Sequence, residues 1–144
     1  AQMTRSDRLK PSQQVAQVRE RDAARAYGES QRRLQDEERR LAELEAYRNE
    51  YLGRFRTLQQ QGITVAQLLE YQAFLGKLEA ALRHQQEIVA LRRGEAERRM
   101  AAWTDRRTHT RAMDRAVENL VEAEQEAGER RDQKALDERN QRRR

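Results

Sequence analysis

The chain has 144 residues, of which 38% are charged and 5% aromatic, with no cysteine, one proline and a formal net charge of +5. A mean hydropathy of -1.22 leaves too little apolar material for a thick globular core, and the absence of cysteine excludes disulfide staples and thiolate chemistry. Ala, Glu, Lys, Leu and Arg supply 82 of the 144 residues, a coiled-coil bias; mixed charge signs and helically spaced apolar residues argue against disorder.

The segment from Ala1 to Lys10 lacks the apolar stretch of a secretory signal, and no later run approaches the ~20 apolar residues that span a bilayer. The expected compartment is therefore the cytoplasm. Pro11 is tolerated in a first helical turn, where its missing N–H has no intrahelical partner, so a first helix is predicted over about residues 8–59. Gly28 and Gly53 weaken it by ~1 kcal/mol each without breaking it. At ~1.5 Å per residue this arm is roughly 70 Å long. Its apolar stripe is Leu34, Leu41, Leu44, Tyr51, Phe55 and Leu58, flanked by Tyr47.

A turn is predicted at about residues 60–65. Gly62 adopts φ > 0 readily at a helix end, and Thr64 can cap the next helix. The second helix is predicted over about residues 66–138, on the order of 100 Å or more, followed by a polar tail to residue 144. Its stripe contains Leu68, Leu75, Leu78, Leu82, Val89, Ala96, Trp103, Met113, Val117 and Leu120. The fold class is all-α: a single-domain antiparallel two-helix coiled-coil hairpin with the second helix longer than the first. Folding back at Gly62 sets Phe55 near Tyr71, Tyr51 near Leu75, Leu44 near Leu82, and Ala23 or Ala24 near Trp103. Tyr47, Tyr51 and Trp103 read as seam fillers. Arg48, Arg92, Arg99 and Arg106 fall where a strict heptad wants apolar side chains, so either the register shifts or a partner covers them; the eleven residues from Val89 to Met100 favour a register shift there.

Residues 1–33 carry 8 basic and 4 acidic side chains, residues 34–91 carry 7 and 9, and residues 92–144 carry 15 and 12. In a hairpin the first and third segments share one end, which predicts a basic terminus-bearing end and a mildly acidic turn end. Chemistry is not indicated. His84 and His109 lie 25 residues apart, no phosphate-cradling or metal-ligand motif is present, and carboxylates such as Glu37 and Glu38 sit on helix surfaces without a pocket. The chain reads as a non-enzyme with no cofactor and no metal. Arginines interleaved with Asp and Glu, without an aromatic stacking platform, argue against nucleic acid; the basic run Arg142, Arg143 and Arg144 comes only at the terminus. A thin apolar stripe committed to a partner helix argues against membrane insertion.

The residues flanking the turn carry a family resemblance. Tyr47-Arg48-Asn49-Glu50-Tyr51 before it, Gly62-Ile63 at it, and the run from Tyr71 through Phe74, Leu75, Gly76, Lys77 and Leu78 to Leu82 after it resemble the FliJ family of the flagellar type III export apparatus. Trp103 and the closing run from Asp132 through Lys134 to Glu138 also fall where that family carries similar residues, so the resemblance spans nearly the whole chain. It implies an antiparallel coiled coil similar to the central stalk of rotary ATPases. Such a stalk inserts its terminus-bearing end into the ring of the export ATPase FliI and promotes its assembly and activity. It also contacts the export gate protein FlhA and escorts export chaperones.

The same resemblance maps a gate-contacting stripe onto Phe74, Leu78, Ala81 and Gln85, whose spacings of four, three and four place them on one helix face; family members can carry His where Gln85 stands. Core packing competes with this role, most strongly at Leu78. The ATPase-facing candidates are Arg8, Arg19, Arg21, Arg130, Arg131 and Lys134, acting through electrostatic complementarity. Membrane association would be peripheral, through the export apparatus. Two alternatives are an equivalent stalk of a virulence-type injectisome and a self-associating structural coiled coil.

Overall fold

The structure, a computed structural model, describes residues 2–143; Ala1, and Arg144 of the terminal basic run, lie outside the described residues. Helix α1 spans Arg5–Gln61 (57 residues) and helix α2 spans Val65–Arg143 (79 residues). Gly62 turns the chain between them at φ 96°, a conformation that costs a side-chain-bearing residue ~1–2 kcal/mol. Two helices fold back as a hairpin, the second longer than the first, as composition and the turn chemistry indicate.

Both helix starts are set by reciprocal capping. Thr64 Oγ1 accepts from the Gln67 amide (3.2 Å) while Gln67 Oε1 accepts from the Thr64 amide (3.0 Å). At the other helix, Thr4 Oγ1 accepts from the Asp7 amide (3.2 Å) and Asp7 Oδ2 accepts from the Thr4 amide (3.3 Å). This cap starts α1 ahead of Pro11, so the proline sits inside the helix and not in its first turn. It forfeits the bond its amide would make four residues back. Helix α2 runs on through Arg143, where the sequence reading has a polar tail after about residue 138. Glu126 to Arg130 and Gln133 to Asp137 pairs at i,i+4 support that stretch (3.6 and 3.1 Å).

The contact surface follows an unbroken seven-residue repeat. In α2 every seventh residue from Leu68 through Leu82, Val89, Ala96, Trp103, Thr110 and Val117 to Glu124 is buried or half-buried. Spacing of seven keeps one face toward the partner helix. No register shift occurs at Val89 to Met100: Ala96 and Trp103 carry the repeat on, and Met100 is half exposed at 50%. Of the four arginines expected on the seam, Arg48 and Arg92 are half-buried and Arg99 and Arg106 are exposed. The long arginine stems let the guanidinium groups leave the seam rather than be buried unpaired.

The hairpin divides into two units, one comprising residues 1–24 with 101–144 and the other Arg25–Met100. In the turn-bearing unit the seam is mainly apolar and aromatic, with Leu78 and Leu82 at 6% and 3% exposure, and Ser30 and Gln85 are its buried polar members. In the terminus-bearing unit apolar residues such as Val117 and Trp103 alternate with small and polar groups closed by hydrogen bonds. Thr110 Oγ1 donates to the Ala16 carbonyl (3.1 Å), Gln13 Nε2 donates to Asp114 (2.8 Å), and Ser6 donates from both its amide (3.0 Å) and hydroxyl (2.7 Å) to Glu124. The Ser6 bonds hold the Glu124 carboxyl below its usual range and place a carboxylate at the positive end of α1.

Candidate functional site

Beside the turn, α1 and α2 join through a ladder of aromatic rings. Phe55 stacks at 5.3 Å on Tyr71, Tyr71 at 5.0 Å on Tyr51, and Tyr51 at 4.6 Å on Phe74, while Tyr47 meets Phe74 edge-on at 6.2 Å. Offset and edge contacts of this kind add ~0.5–1.5 kcal/mol per pair beyond area burial. Lost solvation, then the neighbouring Tyr71, Tyr47 and Glu70, push the Tyr51 phenol above its ordinary range. The outer rungs stay accessible, Phe74 at 38% and Tyr47 at 45% exposure.

The four-residue stripe Phe74, Leu78, Ala81 and Gln85 does not form a single exposed face. Leu78 and Gln85 are buried in the seam, whereas Phe74 and Ala81 reach solvent. Gln85 Nε2 donates to the Glu37 carbonyl (3.0 Å) and to Glu37 Oε2 (2.6 Å), and Arg40 closes the same carboxylate from 2.8 Å. A polar pair buried at a heptad position fixes the register of the two helices. His84, the neighbour of Gln85, points to solvent. Further along this unit, Arg92 (3.1 Å) and Arg33 (3.3 Å) converge on Glu95, whose carboxyl they hold below the ordinary range, with Arg92 the larger influence.

In the terminus-bearing unit, Arg8, Arg19, Arg21, Arg130, Arg131 and Lys134 are all exposed. They do not form one patch. Arg8, Arg19 and Arg21 lie on α1, while Arg130, Arg131 and Lys134 lie on α2 beyond Gly128, where no α1 residue stands opposite. Every described residue from 129 onward is exposed. Arg130 is held to Glu126 at 3.6 Å. Trp103 is half-buried alongside Gln17, Glu20, Arg21 and Ala24, with the Arg107 guanidinium 5.6 Å from its ring centre.

The expected electrical polarity is weaker than the segment counts indicate. By unit the terminus-bearing part holds 16 basic and 13 acidic residues, net +3, and the turn-bearing part 14 and 12, net +2. The difference shrinks because Arg25, Arg32, Arg33 and the Arg92 to Arg99 cluster fall in the turn-bearing unit. Within the terminal unit charge is ordered lengthwise: residues 116–129 hold five glutamates and no basic residue, and Arg130, Arg131 and Lys134 follow. The Ser6 to Glu124 clamp and the Thr110 bond escaped the sequence reading, although the sevenfold spacing from Thr110 to Val117 to Glu124 carries the signal.

Among the described residues no helix is long and apolar enough to cross a membrane. The family model described as "Flagellar FliJ protein" matches residues 5–144. The chain is 29% identical over 124 residues to the Flagellar FliJ protein of Escherichia coli (strain K12), covering 86% of this chain and 84% of that one. It is 28% identical over 136 residues to the Flagellar FliJ protein of Salmonella typhi, covering 94% and 92% respectively. A match over nearly the whole length, on a two-helix hairpin with the aromatic run at its turn, shows that this chain belongs to the flagellar FliJ family of export components.

Proposed function

We propose that the chain acts as the stalk and coupling factor of its flagellar export apparatus, with its terminus-bearing unit engaging the ring of the export ATPase FliI. The observation that carries this reading is the unpaired end of α2. Among the described residues, those beyond Gly128 form a helix with no partner, solvent-exposed on all sides and bearing Arg130, Arg131 and Lys134. A lone charged helix is soluble by itself and offers donors in every direction, which suits a channel lined with acids. Arg8, Arg19 and Arg21 supply a separate set of exposed cations on α1.

The turn-bearing unit is assigned the export gate protein FlhA, with export chaperones as further partners of the apparatus. Phe74 and Ala81 carry the gate contact, with the half-exposed Tyr47 beside them; Leu78 and Gln85 support it from the seam. A protruding aromatic edge on a rigid helix pair is a suitable anchor for a hydrophobic pocket. The test is a pull-down against the purified ATPase and the gate cytoplasmic domain. Phe74→Ala is expected to lose gate binding and keep the ATPase, and Arg130→Glu/Arg131→Glu/Lys134→Glu to do the reverse. Retention of both partners by both variants would refute the assignment.

A further inference from the structure

A second surface lies on the turn-bearing unit, on the side of α2 turned away from both the seam and Phe74. In a chain that is 38% charged, the run from Thr57 to Leu78 contains only Glu70 and Lys77 as charged residues. Its outward face is apolar: Val65 is 74% and Leu69 60% exposed, and Ala66, Ala73, Gly76 and Ala80 are exposed around them. Ala66, Ala73 and Ala80 recur at seven-residue spacing, with Leu69 and Gly76 at the intervening position. This is a second heptad seam, separate from the one that closes the hairpin. Small side chains at its layers let another helix approach closely, and a Cβ built on Gly76 would meet nothing within 4 Å.

The residues bordering this face say what covers it. In an antiparallel pairing of two copies that sets Ala73 against Gly76, Leu69 falls against Ala80, and the layers repeat symmetrically about a twofold axis. That register brings Glu70 of one copy opposite Lys77 of the other, twice. On the other border it brings Gln72 opposite Glu79, again twice. No like charges oppose each other. Neither Glu70 nor Lys77 is engaged in an ion pair within the described chain. Any other occupant would have to reproduce this pattern of charges, whereas a second copy supplies it without further requirement. We infer that the outer face of α2 from Val65 to Arg83 is a self-association surface, on which two copies of this chain pair antiparallel through their turn-bearing units.

The overlap is about 28 Å long at ~1.5 Å per residue, and a contact of that length stays below the ~1,200 Å² at which stable interfaces begin. The dimer therefore belongs to the weak, transient class. It uses a face of α2 separate from Phe74 and Tyr47 and no residue of the terminus-bearing unit, so it does not depend on the stalk assignment.

Sedimentation velocity on the full chain, from low to several hundred micromolar, tests the inference. The wild type is expected to move from monomer to dimer across that range. Glu70→Lys and Lys77→Glu each place like charges opposite one another twice, and each should raise the half-association concentration about tenfold. The double swap should restore it, and an equimolar mixture of the two single variants should associate more strongly than either alone. Leu69→Lys, at an exposed position, should abolish association with helical circular dichroism unchanged. A chain that stays monomeric at every concentration, or a dimer indifferent to these swaps, would overturn the inference.

Discussion

Replacing Gln85 separates a seam residue from a partner contact. In Gln85→Ala the Glu37 carbonyl and carboxylate lose donors at 3.0 and 2.6 Å. A hydrogen bond to a charged group contributes ~1.5–3 kcal/mol and one to a carbonyl ~0.5–1.5 kcal/mol. Arg40 still holds Glu37 and that carboxylate retains some access to water, 13% of its side chain being exposed, so the loss falls toward the lower end. The expected destabilisation is about 2–3 kcal/mol. Gln85→Leu differs, because a leucine at a heptad position between Leu82 and Val89 recovers ~2 kcal/mol of apolar burial. It should unfold within about 1 kcal/mol of the wild type. Urea unfolding followed by circular dichroism at 222 nm reads both, provided the slope is unchanged. If Gln85→Ala keeps full stability and instead loses gate binding, the side chain is a surface contact and the seam account is wrong.

Other substitutions probe the helix ends. Acidification should loosen the start of α1. The Ser6 bonds hold the Glu124 carboxyl below its usual range, and the Thr4 bonds do the same for Asp7, so their contribution is fully present above the unfolded carboxylate range. It is lost as pH falls through the lower folded values. Hydrogen-exchange protection factors for the amides of residues 6–10 and 12, taken relative to the intrinsic rate at each pH, should fall there, and Glu124→Gln should flatten the dependence; equal protection at low and neutral pH argues against the clamp. Gly62→Ala should cost ~1–2 kcal/mol because φ 96° is strained for any side chain, and an unchanged melting temperature would contradict that. Pro11→Ala should stabilise α1 by up to ~3 kcal/mol, since the proline lies inside the helix. Thermal melting of the variant, monitored by circular dichroism, checks the sign.

The legible part of the fold was its chemistry of breaks and repeats. Gly62 and Thr64 gave the turn because one conformation and one cap need those residues, and the Leu and aromatic stripe near the turn gave the seam. The start of α1 was less legible because Pro11 drew the boundary toward itself, while the Thr4 to Asp7 box that sets it is two short polar residues. The terminal half of the seam was hidden for a different reason. Ser6, Gln13, Ala16, Thr110 and Glu124 are small or polar, so apolar periodicity does not mark them, and only their cross-helix bonds show them as part of the seam. The exposure of Arg130, Arg131 and Lys134 on α2 was legible in their charge and in the polar sequence around them. The division of the stripe into exposed Phe74 and Ala81 against buried Leu78 and Gln85 was not, because spacings of four and three serve a seam and a docking face equally.

Coupling of the terminus-bearing unit to the export ATPase is read from the turnover of the cognate ATPase titrated with this protein at low and high salt. Turnover should rise with added protein. The gain should shrink as salt screens the basic contacts, and should be lost in Arg130→Glu/Arg131→Glu/Lys134→Glu. Turnover that stays flat over a broad concentration range, with both proteins folded, would contradict the account.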